Sequence, residues 1–176
     1  MIFLGIGSNL PSSFGNRLDN INSSIKLLKK NKIEVLKISS FYESIAFPNK
    51  NDPKFLNIVV ETKTLLQPKD LMITLMKIEE ILERKRLKKN APRTCDIDII
   101  DYKRKIINLE LHNQQLQIPH RSLSDRNFVL YPLKEISPNW SHPLGNVSID
   151  ILISKLKNKN NGITKLSQSD INEYVE

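Results

Sequence analysis

Ala91-Pro92-Arg93-Thr94-Cys95-Asp96-Ile97-Asp98-Ile99-Ile100 is the stretch on which the reading of the fold turns. It reads as a strand that carries two aspartates. Side chains alternate across a strand, so Asp96 and Asp98 share one face while Ile97 and Ile99 take the other. At about 3.3 Å rise per residue the two carboxylates start about 6.6 Å apart. That spacing lets them grip one hard cation, or two neighbouring ones, with oxygen ligands. Asp is depleted in strands, so the pair needs a reason. A solvated edge strand is one and a magnesium site is another. The basic run Arg84-Lys85-Arg86-Leu87-Lys88-Lys89, followed by Arg93, favours the second. Carboxylates for a metal beside arginines for phosphate suit an enzyme that handles a nucleoside triphosphate.

Working outward, Ile2–Gly7 is an apolar run ending in glycine, a first strand, and Gly7-Ser8-Asn9 is turn chemistry. Leu18, Ile21, Ile25 and Leu28 recur at helical spacing and predict a helix over about 15–30. Ile33–Tyr42, rich in β-branched and aromatic residues, reads as one strand, 46–53 as an exposed loop and Phe55–Thr64 as the next strand. Pro68 suits a first helical residue, and Leu71, Leu75, Ile78 and Leu82 mark a helix to about Glu83. The basic connection 84–93 lacks apolar periodicity and is expected to be mobile. Cys95–Tyr102 is the aspartate strand, and Lys105–Leu109 is expected to pair with it as a hairpin. The order β-α-β-β-α-β is that of a ferredoxin-like α+β fold, an antiparallel sheet with helices on one face. Helical stretches around 123–136 and 149–157 would cover part of the other face. The polar tail 158–176 is left without assigned structure, and 1–176 is expected to be a single domain.

A length of 176 residues, 39% hydrophobic and 26% charged, suits a globular chain with a sizeable core. No apolar run approaches a membrane span, the first residues lack a signal-peptide pattern, and Cys95 has no partner for a disulfide. A cytoplasmic protein is the simplest expectation, with Cys95 as a small core residue. The net charge of +8 decides little, because lysine is abundant throughout. Arginine placement says more: apart from Arg17, every arginine lies between Arg84 and Arg126. Gly5 and Gly7 do not make a phosphate loop, since neither the Lys-Ser/Thr pair nor the third glycine follows. No histidine pair has zinc-ligand spacing. His120, beside Arg121 and near Arg126, is a candidate phosphate contact. Phe47 and Phe128, in polar surroundings, are candidates to stack a flat ligand.

Five motifs occur in a telling order: Gly7-Ser8-Asn9; Ser39-Ser40-Phe41-Tyr42 with Glu43-Ser44; Phe55-Leu56-Asn57; Pro92-Arg93-Thr94 with Asp96-Ile97-Asp98; and Pro119-His120 with Arg126-Asn127-Phe128. Together they resemble the 6-hydroxymethyl-7,8-dihydropterin pyrophosphokinase family of folate synthesis, over about Ile2 to Lys157. The resemblance implies transfer of pyrophosphate from ATP to the pterin hydroxymethyl group, with AMP released. It implies that Asp96 and Asp98 bind two Mg2+ ions and that Arg84 and Arg93 serve catalysis. It places Glu79, Arg84, Arg86, Arg93, His120 and Arg126 on ATP. Asn57 would hydrogen-bond the pterin ring, Phe55 and Phe128 would sandwich it, and Ser44 and Phe47 would line the pocket. The family's Arg-Trp-Gly is here Lys89-Asn90-Ala91, in a loop one residue shorter. The expected partners are these two small molecules, with no nucleic acid and no membrane, acting on a monomer. A ferredoxin-like RNA-binding module and a metal-dependent phosphohydrolase are the rival readings. RNA binding fits poorly with a carboxylate pair on the sheet, and hydrolysis leaves Asn57 and the aromatics without a role.

Overall fold

A computed structural model describes residues 1–86, 88, 90–111, 114–156 and 162–174. Leu87 and Lys89, in the connection expected to be mobile, lie outside the described residues, as do Lys157, at the end of the last expected helix, and 158–161 and 175–176 of the polar tail. The chain runs β1 (Ile2–Ser8), α1 (Arg17–Lys30), β2 (Glu34–Ile38), β3 (Tyr42–Ser44), β4 (Phe55–Lys63), α2 (Pro68–Ile81) and β5 (Asp96–Tyr102). There follow β6 (Ile107–Leu111), β7 (Gln114–Ile118), a 3-10 turn at Leu123–Asp125, α3 (Asn127–Ile136), α4 (Ile149–Lys155), β8 (Ile163–Lys165) and α5 (Gln168–Asn172).

The main sheet has the order β5-β1-β4-β3-β8, with β2 also on β4, and its pairings are antiparallel. This is the ferredoxin-like α+β arrangement expected from the element order. α1 starts where Asn16 caps it: its Oδ1 accepts from the Leu18 and Asp19 N–H groups, and Asp19 accepts from the Asn16 N–H in return. α1 and α2 bury Ile21, Leu28, Leu71, Leu75 and Ile78 against Ile2, Leu4, Ile6, Ile58, Ile97 and Ile99 on one sheet face. On the other face Phe3, Val59 and Ile100 pack under Val129, Leu130 and Leu133 of α3 and Ile149 and Leu152 of α4. Cys95 is fully buried, and burial pushes its thiol up, so it is the inert core residue its position suggests.

Three expectations need correction. The strand read over Ile33–Tyr42 is two strands, because Ser39 ends the ladder. Its N–H donates to the Val59 carbonyl at 2.9 Å, but the Val59 N–H donates to Ser39 Oγ, at 3.0 Å, in place of a backbone carbonyl. The segment from Lys105 does not form a hairpin with β5. The chain reverses through Lys103 and Arg104, both at positive φ, and makes one bridge from Tyr102 to Lys105. It then leaves, and β6 pairs with β7 over five residue pairs, Ile107 opposite Ile118. The tail is structured over 162–174, where β8 joins β3.

α3 carries Phe128 in its first turn, so its packing sets one wall of the expected site. Leu130→Ala, at a fully buried position, should lower unfolding free energy by about 2–5 kcal/mol in a denaturant titration.

Candidate active site

The register of β1 builds the site. Gly7 lies opposite Asn57 of β4 on one side and opposite Asp96 of β5 on the other. Directly paired residues share a sheet face, so Asn57, Gly7 and Asp96 form one row across three strands. Glycine leaves room at its middle, where a Cβ would stand a tight 3.0 Å from Asn57 Oδ1. Asp98 and Phe55, two residues along their strands, extend the same face.

The carboxylates are held by arginines. Asp96 Oδ1 accepts from Arg84 Nη1 at 2.5 Å, and its Oδ2 lies 3.1 Å from Arg93 Nε. Asp98 Oδ2, on a side chain 41% exposed, accepts from Arg126 Nη1 at 2.8 Å. Arg84 also donates to Glu79 Oε1, and Arg86 to Glu79 Oε2. Glu79, buried at 3% exposure, further accepts the Ile97 N–H at 2.8 Å, which ties α2 to β5. The arginines reach the aromatics as well: Arg93 lies over the Phe55 ring at 5.2 Å and Arg126 over the Phe128 ring at 5.7 Å. His120 Nε2 stands 3.2 Å from Arg126 Nη2, while its Nδ1 accepts the Ser122 N–H at 3.0 Å. Both neighbours are donors and a neutral ring has one acceptor nitrogen, so they compete for it. Burial, then Arg126, holds this imidazole below its usual value, so it is neutral at neutral pH.

On the other wing Asn57 Nδ2 donates to Ser44 Oγ at 2.9 Å and to the Tyr42 carbonyl at 3.3 Å, leaving Oδ1 over Gly7 as an acceptor. The structure thus brings together Glu79, Arg84, Arg86, Arg93, Asp96, Asp98, His120 and Arg126 as one charged group. Ser44, Phe55 and Asn57 form a second, linked to the first through Arg93. Phe128 joins through Arg126. Phe47, 80% exposed on its loop, is not brought to the others.

Asn9 belongs with these residues, although its sequence context, turn chemistry and the Gly7-Ser8-Asn9 motif, assigns it no role. It is buried, and its Oδ1 accepts the Arg93 N–H at 2.6 Å while its Nδ2 donates to the Pro53 carbonyl at 3.0 Å. The Arg93 carbonyl in turn accepts from the Asn9 and Leu10 N–H groups. One amide therefore fixes the arginine of the charged wing and the chain entering Phe55. A polar residue directly after a buried strand was the available signal.

Two carboxylates on one strand face, forked cations around them and a pair of aromatic rings have the chemistry to suit a polyphosphate and a flat partner. The family model for 7,8-dihydro-6-hydroxymethylpterin-pyrophosphokinase (HPPK) matches residues 3–138. A 2-amino-4-hydroxy-6-hydroxymethyldihydropteridine pyrophosphokinase from Aquifex aeolicus is 41% identical over 143 residues, 81% of this chain and 84% of that protein. The protein of the same name from Synechocystis is 38% identical over 154 residues, 87% of this chain and 74% of its own length. The folic acid synthesis protein fol1 of Pneumocystis carinii is 39% identical over 155 residues, but this chain spans only 20% of it. The crystal structure of a Plasmodium falciparum HPPK-DHPS triple mutant superposes with a TM-score of 0.70 at 16% identity, over 95% of this chain and 46% of that one. That likeness shows the fold. The chain belongs to the HPPK family.

Burial pushes the Glu79 carboxyl up to about 7, against the pull of Arg84 and with the help of the Asp96 charge. Below its ordinary value of 4.5 the group is protonated whether the chain is folded or not. Between there and about 7 the unfolded chain gives up the proton first, so stability falls as pH rises through that window. Denaturant unfolding of the ligand-free protein at pH 5 and pH 8 should show this loss, and Glu79→Gln should reduce it.

Proposed function

We propose that the chain transfers pyrophosphate from ATP to the hydroxymethyl oxygen of 6-hydroxymethyl-7,8-dihydropterin, giving the pterin diphosphate and AMP in folate biosynthesis. The observation that carries this reading is the row of Asn57, Gly7 and Asp96, which sets a ring-binding wing and a phosphate-binding wing side by side with no side chain between them. The pterin oxygen forms a bond to the β-phosphorus, the bond from that phosphorus to the α–β bridging oxygen breaks, and the bridging oxygen leaves with AMP. The hydroxyl proton goes to solvent.

The chain's own groups bind and orient. Arg84 and Arg93 exchange Asp96, and Arg126 exchanges Asp98, for phosphate oxygens, where forked donors match the geometry. A cavity of about 450 Å³, lined by Ile73, Met76, Lys77, Glu79, Glu80, Arg84 and Arg86, offers the nucleoside an apolar wall beside the arginines. Asn57 Oδ1 accepts from the ring edge, and Phe55 and Phe128 cover its faces.

Asp96 and Asp98 are the residues that would hold Mg2+. They fit it as hard oxygen donors, partly exposed on one strand face. Among the described residues no third His, Cys, Asp or Glu joins them, which suits an ion that takes one or two carboxylates and fills its shell with phosphate and water. Bound Mg2+ would offset the charge of the triphosphate and polarise it for attack. Two ions are expected. No helix among the described residues is long and apolar enough to cross a membrane. The reading carries with it a single-domain, monomeric cytoplasmic enzyme acting on small molecules and not on nucleic acid.

Conversion of ATP to AMP should require the pterin alcohol, and turnover without it would favour a hydrolase. Asp98→Ala should lower kcat about a thousandfold or more, the effect of several kcal/mol of lost charge stabilisation, while the circular dichroism spectrum is unchanged. Asn57→Ala should weaken pterin binding about tenfold, the cost of ring-edge groups left unpaired, with ATP binding nearly unaffected in titration calorimetry.

A further inference from the structure

Residues 162–174 lie beyond the family match at 3–138, yet they close on the loop that carries Phe47. β8 runs antiparallel to β3 with Ile163 opposite Ser44, and the Gly162 carbonyl accepts the Ile45 N–H at 2.9 Å. The approach is tight. Gly162 has φ +75°, and a Cβ there would stand 2.6 Å from Ile45 Cδ1, so this end of the grip requires glycine. Leu166 then donates its N–H to the Phe41 carbonyl at 2.9 Å, and Leu166, Ile171 and Tyr174 pack against the larger core.

Tyr174 makes the second grip. Its hydroxyl accepts from Arg17 Nη2 at 2.6 Å and donates to Glu43 Oε2 at 3.2 Å, and its ring lies under the Arg17 guanidinium at 5.2 Å. Its carbonyl accepts from Asn16 Nδ2 at 2.5 Å. Arg17, so held, donates through Nη1 to the Lys54 carbonyl at 2.5 Å, while Lys54 Nζ pairs with Glu43 Oε1 at 2.7 Å. Lys54 directly precedes Phe55. The loop from Ile45 to Lys54 is therefore held at both ends by one segment, at Ile45 directly and at Lys54 through Arg17.

We infer that residues 162–174 position the pterin pocket, with Tyr174 and Gly162 as positioning residues. They touch no substrate. They fix Ser44 at the start of the loop and Phe55 at its end before the ligand arrives, so that less ordering is left for binding to oppose. The inference rests on the reading of Ser44, Phe55 and Asn57 as pterin contacts.

Four proteins test it beside wild type: Tyr174→Ala, Tyr174→Phe, Gly162→Ala and a chain ending at residue 161. Titration calorimetry with the pterin alcohol in the presence of a non-hydrolysable ATP analogue, and with the analogue alone, separates the two ligands. Tyr174→Ala and Gly162→Ala should raise the pterin Kd and KM about fivefold, the equivalent of one net hydrogen bond, with analogue affinity and kcat near wild type. Tyr174→Phe, which keeps the ring under Arg17, should recover part of the loss. The shortened chain should lose more, and if it does not fold the point variants decide. Unchanged pterin affinity in folded Tyr174→Ala and Gly162→Ala overturns the inference, as does equal weakening of both ligands. Asn57→Ala run in parallel tells the two failures apart. If it weakens pterin binding while the segment variants do not, only the positioning role is lost. If it too leaves pterin binding unchanged, the pocket itself is misplaced and the inference falls with it.

Discussion

Strand β1 lies between β4 and β5 with its apolar side chains Ile2, Leu4 and Ile6 buried on one face and glycine at residue 7 on the other. A Cβ at residue 7 would stand 3.0 Å from Asn57 Oδ1, and Asn57 would have to give by a few tenths of an ångström. A slip of one residue would turn Asp96 and Asp98 into the core and Ile97 and Ile99 outward, which the buried isoleucine face forbids. The apolar alternation on one side of the sheet thus specifies the register. α1 and α2 fill one face, α3 and α4 part of the other, and the row of Asn57, Gly7 and Asp96 lies beyond them.

The charged wing is arranged so that some pairs are easily exchanged and others are not. Asp98 and Arg126 are both partly exposed, and pairs open to solvent are worth about 0–1 kcal/mol. Arg126 therefore loses little by changing partner. Glu79 and Arg84 are different. Both are nearly buried, and separating them leaves a charge without solvent or partner, a cost of about 3–5 kcal/mol. Arg84 is therefore held to Glu79 more firmly than Arg126 is to Asp98.

The parts of the molecule that were readable in the sequence are those where one physical rule acts alone. Helical spacing in 18–28 and 71–82 placed α1 and α2, strand alternation placed β5, and the order of elements gave the sheet. The break at Ser39 was not readable, because a serine hydroxyl standing in for a backbone carbonyl leaves no mark on hydrophobic pattern. The partner of β6 was not readable either, since proximity along the chain favoured β5 and β7 offered the longer ladder. The charged residues were legible from their crowding near one strand, and Ser44, Phe55 and Asn57 only from family motifs. Asn9 was passed over because its role is to join two segments far apart in sequence. Tyr174 and Arg17 were missed for the same reason, and Arg17 also because it stood apart from the other arginines.

β5 is the outer strand of the main sheet on its side. Exposed edges invite pairing with other chains, and covering the edge is a common guard against it. This strand is largely buried, and its Ile97 N–H donates to Glu79 Oε1 at 2.8 Å instead of facing solvent. Glu79 therefore has a second effect, which is to occupy a backbone donor on a strand rich in isoleucine. Replacing it with alanine would free that donor as well as its two arginines, and poor solubility in such a protein would report on the strand edge.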